Sequence, residues 1–389
     1  MGNSGGEEER TRLLLLTNTV QLGGMEEHVR LIAKDLDPEQ FDVSVVFPEW
    51  EATDAFVDRL EEVADDVEQI TPDRRHGISP LPGELWRLWK FARRGDFDVA
   101  HLHSTTYSGQ VAMIVVLRLA GLDRVFVTEH LAPETQPPRL VCMLRRAVQK
   151  LATGVICVSE RNRQARAKYL HTPDESTHVV VNGIDMSRFN APPTVTDDEV
   201  RSQFSIPAGV SIIGTAIRFE PGKGVDDLVD AFAIIAREHP EAILLMVGDG
   251  SLRGALEDQV EAHGLTDRVI FAGFISDPRP LIALMDIFVL PVPFGSASIG
   301  LLEAMAMSKP CIISFGGPGE AIEPGQSGYW AEPLQPESIA EHLVHLLDDD
   351  ELRLTMGANA RRRVETDFSS QRVAVELSEL YRARASSPT

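Results

Sequence analysis

The chain predicts an α/β fold in which a parallel sheet is built twice, and three observations carry that expectation. Short apolar runs alternate with amphipathic helical patterns almost throughout the 389 residues. The runs are rich in Val, Ile and Leu without a two-residue alternation, as in strands covered on both faces. A stretch rich in Pro, Thr and Asp, FNAPPTVTDDEVRSQFSIPAG, separates one series from the other. The length also suits two domains better than one core.

In the first half the predicted strands are 13–16, 43–47, 99–103, 125–128, 155–158 and 179–181. In the second half they are 212–217, 243–247, 269–271, 287–290 and 311–314. Helical patterns fill the intervals, which makes the sheets parallel and doubly wound. The domain boundary falls near residue 195, giving a first domain over 1–194 and a second over 195–368. Residues 1–11, polar and acidic, read as a frayed tail and not as a signal peptide. The sequence contains no short-period repeat.

Composition narrows the function. Hydrophobic residues make up 43% of the chain, enough for two large cores, and no run reaches the length of a membrane span. Net charge is −22, which argues against bulk nucleic-acid binding. Cys142, Cys157 and Cys311 stand far apart inside apolar runs and read as buried thiols in a reducing, cytoplasmic compartment. Only six of the 37 cations are lysine, so the surface is acid-rich and arginine-rich. An ordinary acidic cytosolic protein and a salt-loving source both fit that balance; stability that rises with added salt would select the second.

In open parallel sheets, ligands bind at the carboxyl ends of the strands. Two such domains facing each other would place the ligand in a central cleft, so the residues that follow strands matter most. Gly23 and Gly24 follow the first strand and precede a helix starting near Met25, a turn suited to a phosphate or to steric need alone. His103 ends the third run, and His130 follows the fourth with Glu129 beside it, placed to donate to a hydroxyl or carbonyl or merely to cap a loop.

The strongest signal is IIGTAIRFEPGKG at 212–224. Arg218 can fork onto two phosphate oxygens, and Lys223 adds a mobile charge just before a helix start. Gly248 and Gly250 flank the next turn, with Ser251 as the expected N-cap. Ser296 to Gly300 precede a helix that carries Glu303 in its first turn, where a carboxylate suits the dipole and can accept from ribose hydroxyls. No closely spaced set of His, Cys or Asp suggests a metal.

Residues 139–168 hold eight cations against Glu160 alone, and the first part is amphipathic. A core-packed helix with a basic face is one reading, and peripheral contact with the inner membrane surface is the other.

These pieces together resemble a retaining glycosyltransferase of the GT-B fold, in the large group called family 4 or group 1. The resemblance covers nearly the whole chain. It rests on GGMEEHV, TEH at 128–130, CVSE, VVNGID, RFEPGKG, VGDG, VIFAGF, LLEAMAMSKPCI and SGYW, in that order. It implies two Rossmann-like domains and a last helix, 369–389, crossing back to the first domain. It also implies a nucleotide-diphosphate-sugar donor on the second domain, in polysaccharide, glycolipid or small-glycoside synthesis.

Arg218 and Lys223 would grip the diphosphate, and Glu303 the ribose. Gly23, Gly24, Gly248, Gly250, Phe274, Ser298 and Ile299 would line the donor. His130 would contact the transferring sugar, while His103 and Asn182 would lie on the acceptor side. The family typically needs no metal or other cofactor. One departure stands out: the family commonly shows Glu-x7-Glu, and here Gly295 replaces the first glutamate. That substitution supports the competing expectation of a degenerate GT-B protein that binds a nucleotide sugar or a partner without transfer.

Overall fold

A computed structural model describes residues 10–17, 23–48, 54–70, 82–104, 107–131, 139–170, 177–190, 195–293, 298–315 and 319–383. The chain forms two compact units, one of residues 1–182 with 370–389 and the other of residues 183–369. The division therefore comes just after Asn182, at the end of the first series of strands and ahead of the Pro-rich stretch.

The first unit runs β1 Thr11–Thr17, α1 Gly24–Asp35, β2 Phe41–Pro48, α2 Asp54–Glu61, β3 Asp66–Ile70, α3 Pro82–Gly95 and β4 Val99–Ser104. It continues with α4 Tyr107–Leu119, β5 Val125–Glu129, α5 Arg139–Gln149, β6 Gly154–Cys157, α6 Glu160–Leu170 and β7 Thr177–Val179. The strand order is β3-β2-β1-β4-β5-β6-β7, all parallel. Thr11 already pairs with Phe41, so the expected tail ends before it.

In the second unit, α7 Ser187–Asn190 and α8 Asp197–Gln203 lead into β8 Ser211–Ala216, α9 Val225–Ile235, β9 Ala242–Val247, α10 Arg253–Ala262 and β10 Val269–Gly273. Then follow α11 Arg279–Leu284, β11 Ile287–Leu290, α12 Ile299–Ala306, β12 Cys311–Ser314, β13 Gly328–Ala331, α13 Pro336–Asp348 and α14 Asp350–Asp367. The order is β10-β9-β8-β11-β12-β13, again parallel throughout.

Both sheets are doubly wound, and the reason lies in the strands. Leu13 to Leu16 and Leu244 to Met246 are fully buried on both faces, so helices must cover each side. The last helix, α15 Ser370–Arg382, returns to the first unit and packs on α1. It buries Val373, Ala374, Leu377 and Tyr381 against Leu13, Leu15 and Phe41. Burying a side chain the size of Leu377 contributes about 1.5–3 kcal/mol. No described helix is long and apolar enough to cross a membrane.

Candidate active site

In each sheet the chain reverses its winding between the first and fourth strands, and that is where an open α/β sheet holds its ligand. In the first unit this point lies between β1 and β4, and in the second between β8 and β11. Each unit is described here by itself.

At the carboxyl end of β4 stands His103, and His130 follows β5 directly. Their rings meet with Nδ1 of His103 3.2 Å from Nε2 of His130. His28, from α1, closes the group edge-on, with centroids 5.5 Å from His103 and 5.3 Å from His130. Behind them His101 places Nδ1 2.5 Å from the Tyr381 hydroxyl and Nε2 2.7 Å from Thr128 Oγ1.

All four histidines are buried. Burial pushes His28 down to about 4, and burial with His28 nearby takes His101 to about 3. His103 and His130 are held well below the ordinary value, again first by burial and then by the neighbouring imidazoles. At neutral pH these are uncharged rings, each offering one N–H and one lone pair.

One ligand atom from each of His28, His103 and His130 lies within 4.8 Å of the others, so the trio has the donor chemistry for a borderline metal. Sequence spacing missed this group because its members come from a helix and two separate strand ends.

The backbone around His130 is tightly held. Its N–H donates to Ser104 O at 3.1 Å. The side chain of Asn162 donates to Glu129 O at 2.8 Å, and the Glu129 carboxylate pairs with the fully buried Arg166.

Gly23 caps α1 in an extended conformation, and Gly24 opens the helix one residue earlier than expected. That first turn carries Glu26 and Glu27, which take up part of its positive end. Asn182 is buried and ends the first of the two chain segments that make up the unit.

The basic stretch 139–168 does not form a single cationic face. Arg145 and Arg166 are buried, and Arg163 forks onto Glu160 at 2.8 and 2.5 Å. The outward positions of α5 include the exposed apolar side chains Leu140 and Met143.

In the second unit Arg218 follows β8 and is exposed, and Lys223 is half-buried before α9. The loop between them is pinned by backbone bonds. Ile217 N–H donates to Val247 O and Phe219 N–H to Asp249 O, both at 2.9 Å. Gly248 and Gly250 make this approach workable: a Cβ on Gly248 would lie 1.9 Å from Ile217 O, and one on Gly250 2.4 Å from Phe219 O.

Ser251 is not the expected N-cap. Leu252 holds that position, and the Ser251 hydroxyl donates to Glu220 at 2.6 Å, tying the two loops together. Gly224, left-handed at φ 66°, caps α9.

Asp226 and Asp227 occupy the first turn of α9, whereas that of α12 carries no acid. Ser298 caps α12 without a side-chain bond, leaving that helix N-terminus the better anion site of the two. A Cβ on Gly300 would lie 3.0 Å from Ala216 O, so this terminus adjoins the end of β8.

Glu303 is buried, and it sits beyond the first turn of α12, not within it as expected. The helix starts at Ile299, earlier than its composition suggested, which leaves Glu303 more than one turn in. Sequence reasoning also overlooked Arg279, which Asp277 grips through two bonds of 2.7 and 2.6 Å and whose charge is stabilised further by Glu303. Phe274, just past β10, is 78% exposed. Gly295 and Ser296 lie outside the described residues.

Two doubly wound units, with cations and a helix N-terminus at one switch point and neutral histidines at the other, define a GT-B glycosyltransferase fold. A family model described as glycosyl transferases group 1 matches residues 196–363, and one described as glycosyltransferase family 4 matches residues 22–188. The chain belongs to the group 1, family 4 glycosyltransferases.

Among curated relatives it is 27% identical over 299 residues to N-acetyl-alpha-D-glucosaminyl L-malate synthase of Bacillus anthracis, covering 76% of this chain and 77% of that one. It is 25% identical over 361 residues to the Escherichia coli UDP-Gal:alpha-D-GlcNAc-diphosphoundecaprenol alpha-1,3-galactosyltransferase, covering 89% and 90%. Similar solved structures include Anabaena HepE in complex with UDP, with TM-score 0.80 and 21% identity, covering 95% of this chain and 99% of that one. A glycosyltransferase from Rickettsia africae has TM-score 0.83 at 17% identity, covering 97% and 100%.

Proposed function

We propose that this glycosyltransferase moves a sugar from a nucleotide-diphosphate-sugar to an acceptor hydroxyl with retention of configuration and without a metal. The observation that carries the reading is the Arg218 loop at the switch point of the second unit. It is fixed by Gly248 and Gly250 and adjoins the acid-free N-terminus of α12. Arg218, Lys223 and the backbone N–H groups at Ser298 and Ile299 would share the charge that builds on the diphosphate as the glycosidic bond breaks. These groups take the role that a divalent cation fills elsewhere.

Glu303 would accept from the ribose hydroxyls, and its charge helps hold the Arg279 guanidinium nearby. The exposed ring of Phe274 would offer a face to the base. His130 would donate to the transferring sugar as a neutral imidazole, and His103 and Asn182 belong with the acceptor. Retention follows if the acceptor attacks on the face the nucleotide leaves and gives its proton to the departing phosphate. The solved structures of HepE hold UDP and UDP-glucose, which supports a uridine nucleotide as the first donor to test.

The test is a thermal-shift screen of UDP-, GDP- and ADP-sugars followed by transfer and hydrolysis assays. Arg218→Ala and Lys223→Ala should each lower turnover by about 10²–10³ with the fold intact. Wild-type turnover in either variant would remove the diphosphate assignment. Loss of activity in EDTA, restored by a metal, would remove metal independence. Nucleotide-sugar binding with neither transfer nor hydrolysis would favour the degenerate alternative.

A further inference from the structure

Of the four buried histidines in the first unit, His101 is already spent. Both of its ring nitrogens are engaged, one by the Tyr381 hydroxyl and one by Thr128 Oγ1. Its ring lies 4.1 Å from that of His103, centroid to centroid, and forms a wall. The other three converge in front of it, from α1, β4 and the end of β5, with one nitrogen of each within 4.8 Å of the others.

Two observations point from this trio to an ion. Two imidazole nitrogens on one tetrahedral zinc lie about 3.4 Å apart. His103 Nδ1 stands 3.2 Å from His130 Nε2, so one edge of such a shell is in place. The second observation is the freedom of His103. Its Nε2 is buried with no hydrogen-bond partner among the described residues. No second bond locks this ring in one tautomer, so the proton can sit on Nε2 and leave Nδ1 as a lone pair. Burial keeps all three rings uncharged at neutral pH, and an ion need displace no net charge to bind.

We propose that His28, His103 and His130 bind one divalent transition-metal ion of the zinc class, and that this ion blocks sugar transfer. Donors that are all imidazole nitrogens select such an ion over magnesium or calcium, which take oxygen. Three side chains leave a fourth tetrahedral place for water or an anion. The trio sits at the carboxyl end of its sheet, where substrates enter, so an ion reaches it by the same way. The block rests on the contact with the transferring sugar proposed above for His130, since a nitrogen that ligates an ion cannot also serve a sugar. Binding itself does not rest on that reading. The ion is an inhibitor and not a cofactor, in keeping with transfer that needs no metal.

The experiment strips the full chain with chelator, loads it with Zn²⁺ and reads X-ray absorption at the zinc edge. Expected is one ion per chain with three imidazole nitrogens at about 2.0–2.1 Å. In calorimetric titration His28→Gln should weaken the site by more than the roughly 10–100-fold that loss of an outer partner costs. His263→Gln, at an exposed position in the second unit, should leave the affinity unchanged. Because His28 is buried, anomalous diffraction from the wild type stands beside that variant and should place the ion among the three rings. In the transfer assay Zn²⁺ should inhibit and EDTA should restore turnover, the opposite sign to a metal requirement.

Fewer than three imidazoles, a thiolate in the shell, or undiminished affinity in a folded His28→Gln would overturn the site. An ion held by the trio with turnover unchanged would overturn the block and take His130 away from the sugar. An ion held by the trio in a protein that transfers nothing even when stripped would support the site and count against the transferase reading alone.

Discussion

Glu129, one residue before His130, pairs with Arg166, whose side chain is 1% exposed against 4% for the carboxylate. The pair joins the end of β5 to α6, and Asn162 on the same helix holds the Glu129 carbonyl. His130 therefore inherits its position from a charge contact in a low-dielectric interior. Removing one partner strands the other, which costs far more than removing both.

Arg166→Met should destabilise the protein by about 3–5 kcal/mol, and adding Glu129→Gln should restore much of that. Urea unfolding of the single and double variants measures it. A single variant as stable as the wild type would mean that the pair is not what anchors this turn.

The histidine cluster sets an acid limit on the first unit. In the unfolded chain each imidazole titrates near 6.5; in the fold His28 titrates at about 4 and His101 at about 3. Above the unfolded value both states are neutral and nothing is lost. As pH falls below it, the unfolded chain takes up protons that the folded chain refuses, so stability drops until the folded values are reached. His28 alone accounts for a loss on the order of 3 kcal/mol over that window. The urea midpoint should be lower at about pH 5 than at about pH 7.5, and less so in His28→Gln. A midpoint indifferent to pH in this range would mean that the rings are hydrated or already charged.

The sequence made both sheets legible because their inner strands are runs of Val, Ile and Leu with nothing else to do but pack. It did not show β3 or β13, which are edge strands. β3, DVEQI, is half-exposed, and β13, GYWA, is four residues long and opens on a glycine. An edge strand needs one covered side only, so its apolar signal fades.

The site divides in the same way. Arg218 and Lys223 stand in one loop after one strand, and a linear reading finds them. The histidine trio is assembled from α1, β4 and the end of β5, and neither spacing nor composition brings His28 to His103. Glu303 was found by type and misplaced by a turn, because the helix start depends on a cap that composition does not fix.

Gly222 and Gly248 separate two uses of the same residue. Both have positive φ, 80° and 139°, but a Cβ on Gly222 meets nothing within 4 Å, whereas one on Gly248 would lie 1.9 Å from Ile217 O. Gly222→Ala should cost about 1 kcal/mol, the expense of a left-handed conformation, and leave nucleotide binding close to wild type. Gly248→Ala carries a conformational cost of about 1–3 kcal/mol and also drives the β8 and β9 loops apart, since the contact is backbone on backbone and has no side chain to yield. Arg218 rides on that displaced segment, so Gly248→Ala should weaken nucleotide binding and turnover more than its loss of stability explains. Melting temperatures read beside calorimetric titration with the nucleotide separate the two effects. If Gly248→Ala binds nucleotide as the wild type does, the approach of these two loops is not what positions Arg218.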